Sequence, residues 1–322
     1  MVDRANRPSA LNAPSAAAPA PQVEITGSGT SSKVTATLPS GESVEVLLYG
    51  ATVISWKSNG GKAENLWLSE KAALDGSKAV RGGIPVVFPV FGPPPKSGHP
   101  TSALPQHGFA RTSRWEFLGK ATSEDALDAA GSSVKLDFGL YSSNLSPEAR
   151  TAWPLDFGLV YSVTLSKDSL QTVMNVRNEG DHSFEFQMLL HTYLKVKDIS
   201  KVSISGLLGV DYVDKVLNAT THKQSDASVT ITGEVDRVYA SIPQDTTTVL
   251  ESGTPRFDVV RDNLQDTVVW NPWKEKAAAM GDFSPDIGFT EMVCVEVGAV
   301  NGWQKLDKGE VFEGGQTIKS LL

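Results

Sequence analysis

The 322 residues are 40% hydrophobic with a mean hydropathy of −0.15, which suits one large globular β domain or two ordinary ones. Net charge is −8, from 29 basic and 37 acidic residues, which argues against a nucleic-acid groove or an anionic membrane as the main partner. The single cysteine, Cys294, excludes disulfides within the chain and any metal site built from several cysteines, and it fits a reducing, cytoplasmic setting.

Residues 1–22 are rich in Ala, Pro and Ser and nearly free of large apolar residues. They lack the apolar centre of a signal peptide and predict a disordered tail, with residues 23–322 as one folded domain. No run approaches the ~20 apolar residues that span a bilayer. After the tail the dominant period is two. Residues 44–49 and 51–56 predict successive strands, punctuated by Tyr49-Gly50. Residues 81–111 place Arg81, Gln106, His107 and Arg111 around a Pro/Gly-rich loop, residues 91–105. Ser146 followed by Pro147 predicts a short capped helix. Residues 157–165 and 170–178 predict a hairpin. Residues 184–196 read as one long alternating strand, and residues 211–215 as loop. Residues 229–232, 247–251, 257–260, 267–270 and 292–297 continue the strand pattern, with two helical turns over 274–280. No internal repeat and no linker interrupts this order. The expected fold class is all-β, a large twisted antiparallel β-sandwich with a few short helices.

Three features carry chemistry. Arg81 and Arg111 supply planar forks that match phosphate or carboxylate oxygens, beside Gln106 and His107. Surface ion pairing explains such arginines equally well. In residues 184–196, alternation assigns Phe184, Phe186, Met188, Leu190, Thr192, Leu194 and Val196 to a core face. His191, Tyr193, Gln187 and Lys195 fall on the other face, which suits either the floor of a polar cleft or a plain solvated surface. Glu296 lies inside the apolar run Met292 to Gly298, where a carboxylate needs a partner or a function. Asp211 and Asp214 flank Tyr212, and Trp270 and Trp273 flank a turn. No metalloprotease histidine pair, nucleophile elbow or P-loop is present.

Taken with their order and spacing, several segments resemble the hexose-6-phosphate mutarotase branch of the aldose 1-epimerases. The likeness is strongest to the fungal glucose-6-phosphate 1-epimerases and runs over nearly all the chain after about Pro21. It rests on residues 50–56 (Gly-Ala-Thr-Val-Ile-Ser-Trp), 65–69 (Asn-Leu-Trp-Leu-Ser) and 75–85, ending Arg81-Gly82-Gly83-Ile84-Pro85. It continues through Gln106-His107-Gly108-Phe109-Ala110-Arg111, His191-Thr192-Tyr193, Tyr212-Val213-Asp214-Lys215 and residues 266–273. Where relatives usually read Glu-Pro, this chain has Glu296-Val297, and Ala299 replaces a histidine found in some of them.

The resemblance implies a β-sandwich whose concave face holds a sugar. It implies His191 as general acid and Glu296 as general base, with Arg81, Gln106 and Arg111 on substrate and phosphate. It further implies Asp214 and His107 beside the sugar. The activity implied is interconversion of the α and β anomers of a hexose 6-phosphate by ring opening and reclosure, with no metal or other cofactor. The expected partner is that small molecule alone, neither nucleic acid nor membrane, and the expected state is a monomer. Two alternatives stand beside it: a mutarotase for unphosphorylated hexoses, and a non-catalytic sugar-phosphate binding protein.

Overall fold

The computed structural model describes residues 19–121 and 132–321. Residues 1–18 of the expected tail lie outside the described residues. Its last member, Gln22, already opens β1 (Gln22–Thr26), where it pairs with Thr37. The alternating Gln-Val-Glu-Ile-Thr segment suits an edge strand, and Val23 packs partly against the core.

The chain continues through β2 (Lys33–Thr37), β3 (Ser43–Leu47), β4 (Thr52–Ser58), β5 (Ala63–Glu64), β6 (Val86–Val87), β7 (Glu116–Ala121) and β8 (Ser133–Tyr141). Then come α1 (Pro147–Ala152), β9 (Phe157–Ser166), β10 (Ser169–Asn178), β11 (Phe184–Leu190) and β12 (Tyr193–Lys195). The second half adds β13 (Val202–Ser205), β14 (Asp211–Asp214), β15 (Thr220–Lys223), β16 (Ser228–Thr230), β17 (Val235–Tyr239) and β18 (Thr246–Glu251). It closes with β19 (Thr254–Asp262), β20 (Asp266–Asn271), α2 (Trp273–Ala279), β21 (Met292–Leu306) and β22 (Val311–Ser320).

These strands form a mostly antiparallel β-sandwich of three sheets. The five-stranded sheet is ordered β1-β2-β3-β4-β5 and the nine-stranded sheet β16-β13-β18-β19-β22-β10-β9-β8-β7. The eight-stranded sheet runs β15-β14-β17-β20-β21-β11-β6, with β12 also paired to β21. The predicted hairpin is β9 and β10, with Leu165 opposite Leu170. The Ser146 hydroxyl caps α1 by accepting from the Ala149 N–H at 3.2 Å, with Pro147 in the first turn.

Two expectations are corrected. Residues 211–214 are not loop; they form β14, because Tyr212 and Val213 pair with Tyr239 and Val238 across a sheet interior. Residues 184–196 are not one strand. The ladder stops after Leu190, and the N–H groups of His191 and Tyr193 turn to the carbonyls of Pro85 and Gly83, at 3.0 and 2.9 Å. The predicted facing survives the break, since all seven residues assigned to the core face are buried.

The eight-stranded sheet is covered on both sides, which is why β21 begins as an unbroken apolar run. Val293, Val295 and Val297 face the main core with Leu190, Leu194 and Val269. Met292 and Cys294 face the other way, into a smaller cluster with Trp67, Leu189, Tyr193, Val268 and Trp270. That second face carries the site.

Candidate active site

Register across four strands sets the floor of the site. Asp236 stands opposite Trp270, Trp270 opposite Cys294, and Cys294 opposite Tyr193. One row along, Val238 stands opposite Val268 and Val268 opposite Glu296. Residues directly opposite on neighbouring strands present side chains to the same face. His191, two residues before Tyr193, joins this face from the break after β11. Val297 does not disturb the aim of Glu296: the register with β20 is continuous from Val295 to Gly298.

His191 and Glu296 meet here, with Nδ1 of the imidazole 3.2 Å from Oε1 of the carboxyl. The Glu296 side chain is 2% exposed and that of His191 13%. Burial holds Glu296 well above the usual carboxylate range, and nearby Asp236 adds to this. Burial also holds His191 well below the usual imidazole range, assisted by His107, Arg111 and Arg81. The His191 ring is stacked on Tyr193 at 4.8 Å and meets Trp270 edge-on at 6.0 Å. These two aromatic walls fix its plane.

The Arg81–Arg111 segment forms the rim. Gly83 takes φ of 66° and lies so close to β4 that a Cβ would sit 2.1 Å from the Val53 carbonyl oxygen. This close approach puts Arg81 at the site. Its guanidinium donates to Asp282 and to the Tyr193 hydroxyl, both at 3.2 Å. Although burial opposes its charge, Tyr193 and Asp282 hold its pKa above the ordinary arginine value. Arg111 is held differently: one N–H donates to the Gln106 carbonyl at 2.9 Å, and its buried Nε has no partner among the described residues. Burial and the neighbouring Arg81 lower its affinity for its proton.

His107 adopts φ of 68°, and its Nδ1 accepts the Gly92 N–H at 3.2 Å. The neutral ring therefore carries its proton on Nε2. Burial, then Arg111, Lys215 and Arg81, push its pKa down to about 3.

Beside these groups lies a cavity of about 450 Å³, lined by Arg81, Gln106, His107, His191 and Glu296 among others; Arg111 is outside that lining, held behind Gln106. That volume accommodates a small polar molecule the size of a sugar phosphate. A wider groove of about 650 Å³, bounded by Lys62, Lys195, Glu251 and Arg256, has no histidine in its lining and so lacks such a pair.

Asp214 is not brought to the cavity. It pairs in register with Arg237, on the opposite parity from Asp236, and its carboxylate is spent on Arg237 Nε at 3.1 Å and the Val216 and Leu217 N–H groups. The carboxylate that lines the cavity is Asp236, with Lys215 3.6 Å away. Burial raises the Asp236 pKa, and Lys215 offsets part of that. Sequence reading also missed Lys276 at the cavity wall. Nothing in the sequence singled out Asp236: Val235-Asp236-Arg237-Val238 does not alternate, and β17, with five residues, is too short to fix which side faces the site.

The structure is an antiparallel β-sandwich with a buried histidine–carboxylate pair on the floor of a polar cleft. The family model described as aldose 1-epimerase matches residues 32–319. The chain is 36% identical to a "Putative glucose-6-phosphate 1-epimerase" of Escherichia coli K12 over 84% of this chain and 85% of that protein. It is 33% identical to a protein of the same name from Cenchrus ciliaris, over 86% of this chain and 81% of that one. The crystal structure of "a putative mutarotase (YeaD)" from Salmonella typhimurium superposes with a TM-score of 0.79 at 30% identity, covering 92% of both chains. The chain belongs to the aldose 1-epimerase family; it is an epimerase, an isomerase acting on a small-molecule sugar. No helix among the described residues is long and apolar enough to cross a membrane.

Proposed function

We propose that the protein interconverts the α and β anomers of a hexose 6-phosphate, with D-glucose 6-phosphate as the leading substrate. The observation that carries this reading is the touching His191–Glu296 pair in one cavity that the cationic side chains of Arg81, Lys215 and Lys276 also line. The names of the relatives agree with it.

Anomer exchange needs the C1 hydroxyl to lose a proton while the ring oxygen gains one. The C1–ring oxygen bond then breaks, the aldehyde rotates, and the ring recloses from the other face. One group must be empty and the other loaded. Glu296 is pushed up and His191 down, so in the empty site the pair's proton rests on Glu296, and the reaction needs it to pass to His191 across their 3.2 Å contact when the sugar binds. Glu296 takes the C1 hydroxyl proton, His191 protonates the ring oxygen, and the roles exchange on reclosure. Asp236 and Lys215 line the cavity beside the pair, where sugar hydroxyls would bond.

Anchorage comes from the phosphate. Arg81 lines the cavity but already spends its fork on Asp282 and Tyr193; Arg111 lies behind Gln106, outside the lining, and its unpartnered Nε makes it the second arginine proposed to read the anion once the rim adjusts to substrate. A mutarotase for neutral hexoses has no need of Arg111. Exchange between the C1 protons of α- and β-glucose 6-phosphate, followed by NMR beside free glucose and galactose, tests the reading. Acceleration confined to the phosphosugar is expected. Acceleration on the free sugars alone would move the substrate to neutral hexoses, and none at all would leave a binding protein.

A further inference from the structure

Cys294 sits beside the acid/base pair, and no step of the proposed reaction uses it. It is the chain's only cysteine and is fully buried. On β21 it lies two residues before Glu296, so strand alternation points both side chains at one face. Tyr193 stands opposite Cys294, and His191 lies two residues earlier on the same side. Donor atoms of His191, Cys294 and Glu296 therefore all fall within 4.8 Å of one another. A second observation points the same way: His191 Nδ1 is buried and, although 3.2 Å from Glu296 Oε1, makes no aligned hydrogen bond among the described residues.

One imidazole nitrogen, one thiolate and one carboxylate oxygen form a donor set that suits zinc, whereas magnesium and calcium prefer oxygen alone. Tetrahedral zinc, with bonds of about 2.0–2.3 Å, needs donors roughly 3.5 Å apart. The His191–Glu296 contact at 3.2 Å is close to that spacing. The sulfur lies within 4.8 Å of both other donors and must move closer for all three to bind. The fourth position is left to water.

We propose that His191, Cys294 and Glu296 form a three-donor site for Zn²⁺ or a similar thiophilic divalent cation, and that its occupancy switches the isomerase off. The metal takes the lone pairs of both groups that must exchange protons with the sugar. The thiol proton, and the proton held by the pair, leave to solvent; no electron is transferred. The inhibition rests on the acid/base reading given above, whereas the binding does not.

The test reads the two separately. Metal-free protein is titrated with Co²⁺, then with Zn²⁺, and α/β exchange of glucose 6-phosphate is measured with Zn²⁺, with Mg²⁺ and after EDTA. Expected are a thiolate-to-cobalt charge-transfer band displaced by Zn²⁺, loss of most of the enzymatic acceleration with Zn²⁺, its recovery with EDTA, and no effect of Mg²⁺. Cys294→Ala should keep its basal rate, lose the band and resist Zn²⁺ by roughly tenfold or more. Cys294→Val, which fills the vacated volume, serves if the alanine variant is unstable. A wild-type protein without the sulfur–cobalt band, or variants as sensitive to Zn²⁺ as the wild type, would overturn the site. Absent acceleration in metal-free protein would instead overturn the reaction, while the cobalt spectrum still decides the site.

Discussion

A histidine touching a carboxylate is ordinarily an ion pair, and burial is what makes His191 and Glu296 different. Each is driven toward its neutral form by desolvation, so the proton they share rests on Glu296 until a ligand shifts it to His191. Replacing Glu296 with Gln removes the base and keeps the shape; kcat should fall by ~10²–10⁴-fold with the fold intact, as stopped-flow polarimetry and circular dichroism would show. A folded variant with normal kcat sinks the assignment. Arg111→Ala should raise KM for glucose 6-phosphate about 10- to 100-fold, the worth of a charge-assisted hydrogen bond, and barely change any turnover of free glucose. Equal losses on both sugars would show that Arg111 does not read phosphate. His107 bears on stability as well as the site. Its pKa is pushed from 6.5 to about 3 in the fold, so between those values the unfolded chain binds the extra proton. Its contribution is whole above pH 6.5 and is lost as pH falls toward 3. His107→Asn, which tolerates the left-handed backbone, should therefore lose less stability than wild type between pH 7 and 5 in urea titrations. Identical losses would remove His107 as a cause.

At the scale of elements, the period of two made most strands readable. β9, β10, β20 and the start of β21 lie within a residue or two of where alternation and β-branching put them. The break in residues 184–196 was not legible. Both of its halves obey one alternation, and the ladder is cut by a distant partner, the Gly83–Pro85 backbone. That same segment depends on Gly83. Gly83→Ala would force a left-handed alanine against the Val53 carbonyl and should cost at least ~1–2 kcal/mol, read as a lower denaturant midpoint with weaker substrate binding. An unchanged midpoint would mean the segment relaxes freely. Asp214 and Asp236 make the complementary point. The two lie on neighbouring strands, and only the register of β14 against β17 decides that Asp214 meets Arg237 while Asp236, which the sequence did not single out, faces the cavity.

Across the whole molecule, one buried network ties the first sheet to the large one. The Arg256 guanidinium, 8% exposed, donates to Asn65 Oδ1 at 2.8 Å and Ser320 Oγ at 3.0 Å, and it lies over the Phe257 ring. Asn65 and Ser320 are 255 residues apart in sequence. Arg256→Ala should lower stability by about 1–3 kcal/mol while leaving the activity of the folded enzyme unchanged, since the cavity is elsewhere. A large loss of kcat without loss of stability would contradict that separation. The amino-acid sequence by itself determined the all-β class, the β9–β10 hairpin, the buried setting of Glu296 and the family resemblance, because these follow from local alternation, capping and motif spacing. Only the tertiary structure decided that His191 touches Glu296, that Arg81 is already engaged while Arg111 has an unspent donor, and that Asp236 rather than Asp214 lines the cavity. The arginines follow from where loop backbone docks against distant strands, and the other two share one physical reason. Which side chains meet depends on register between strands distant in sequence, and a slip of one residue reverses every side chain's face.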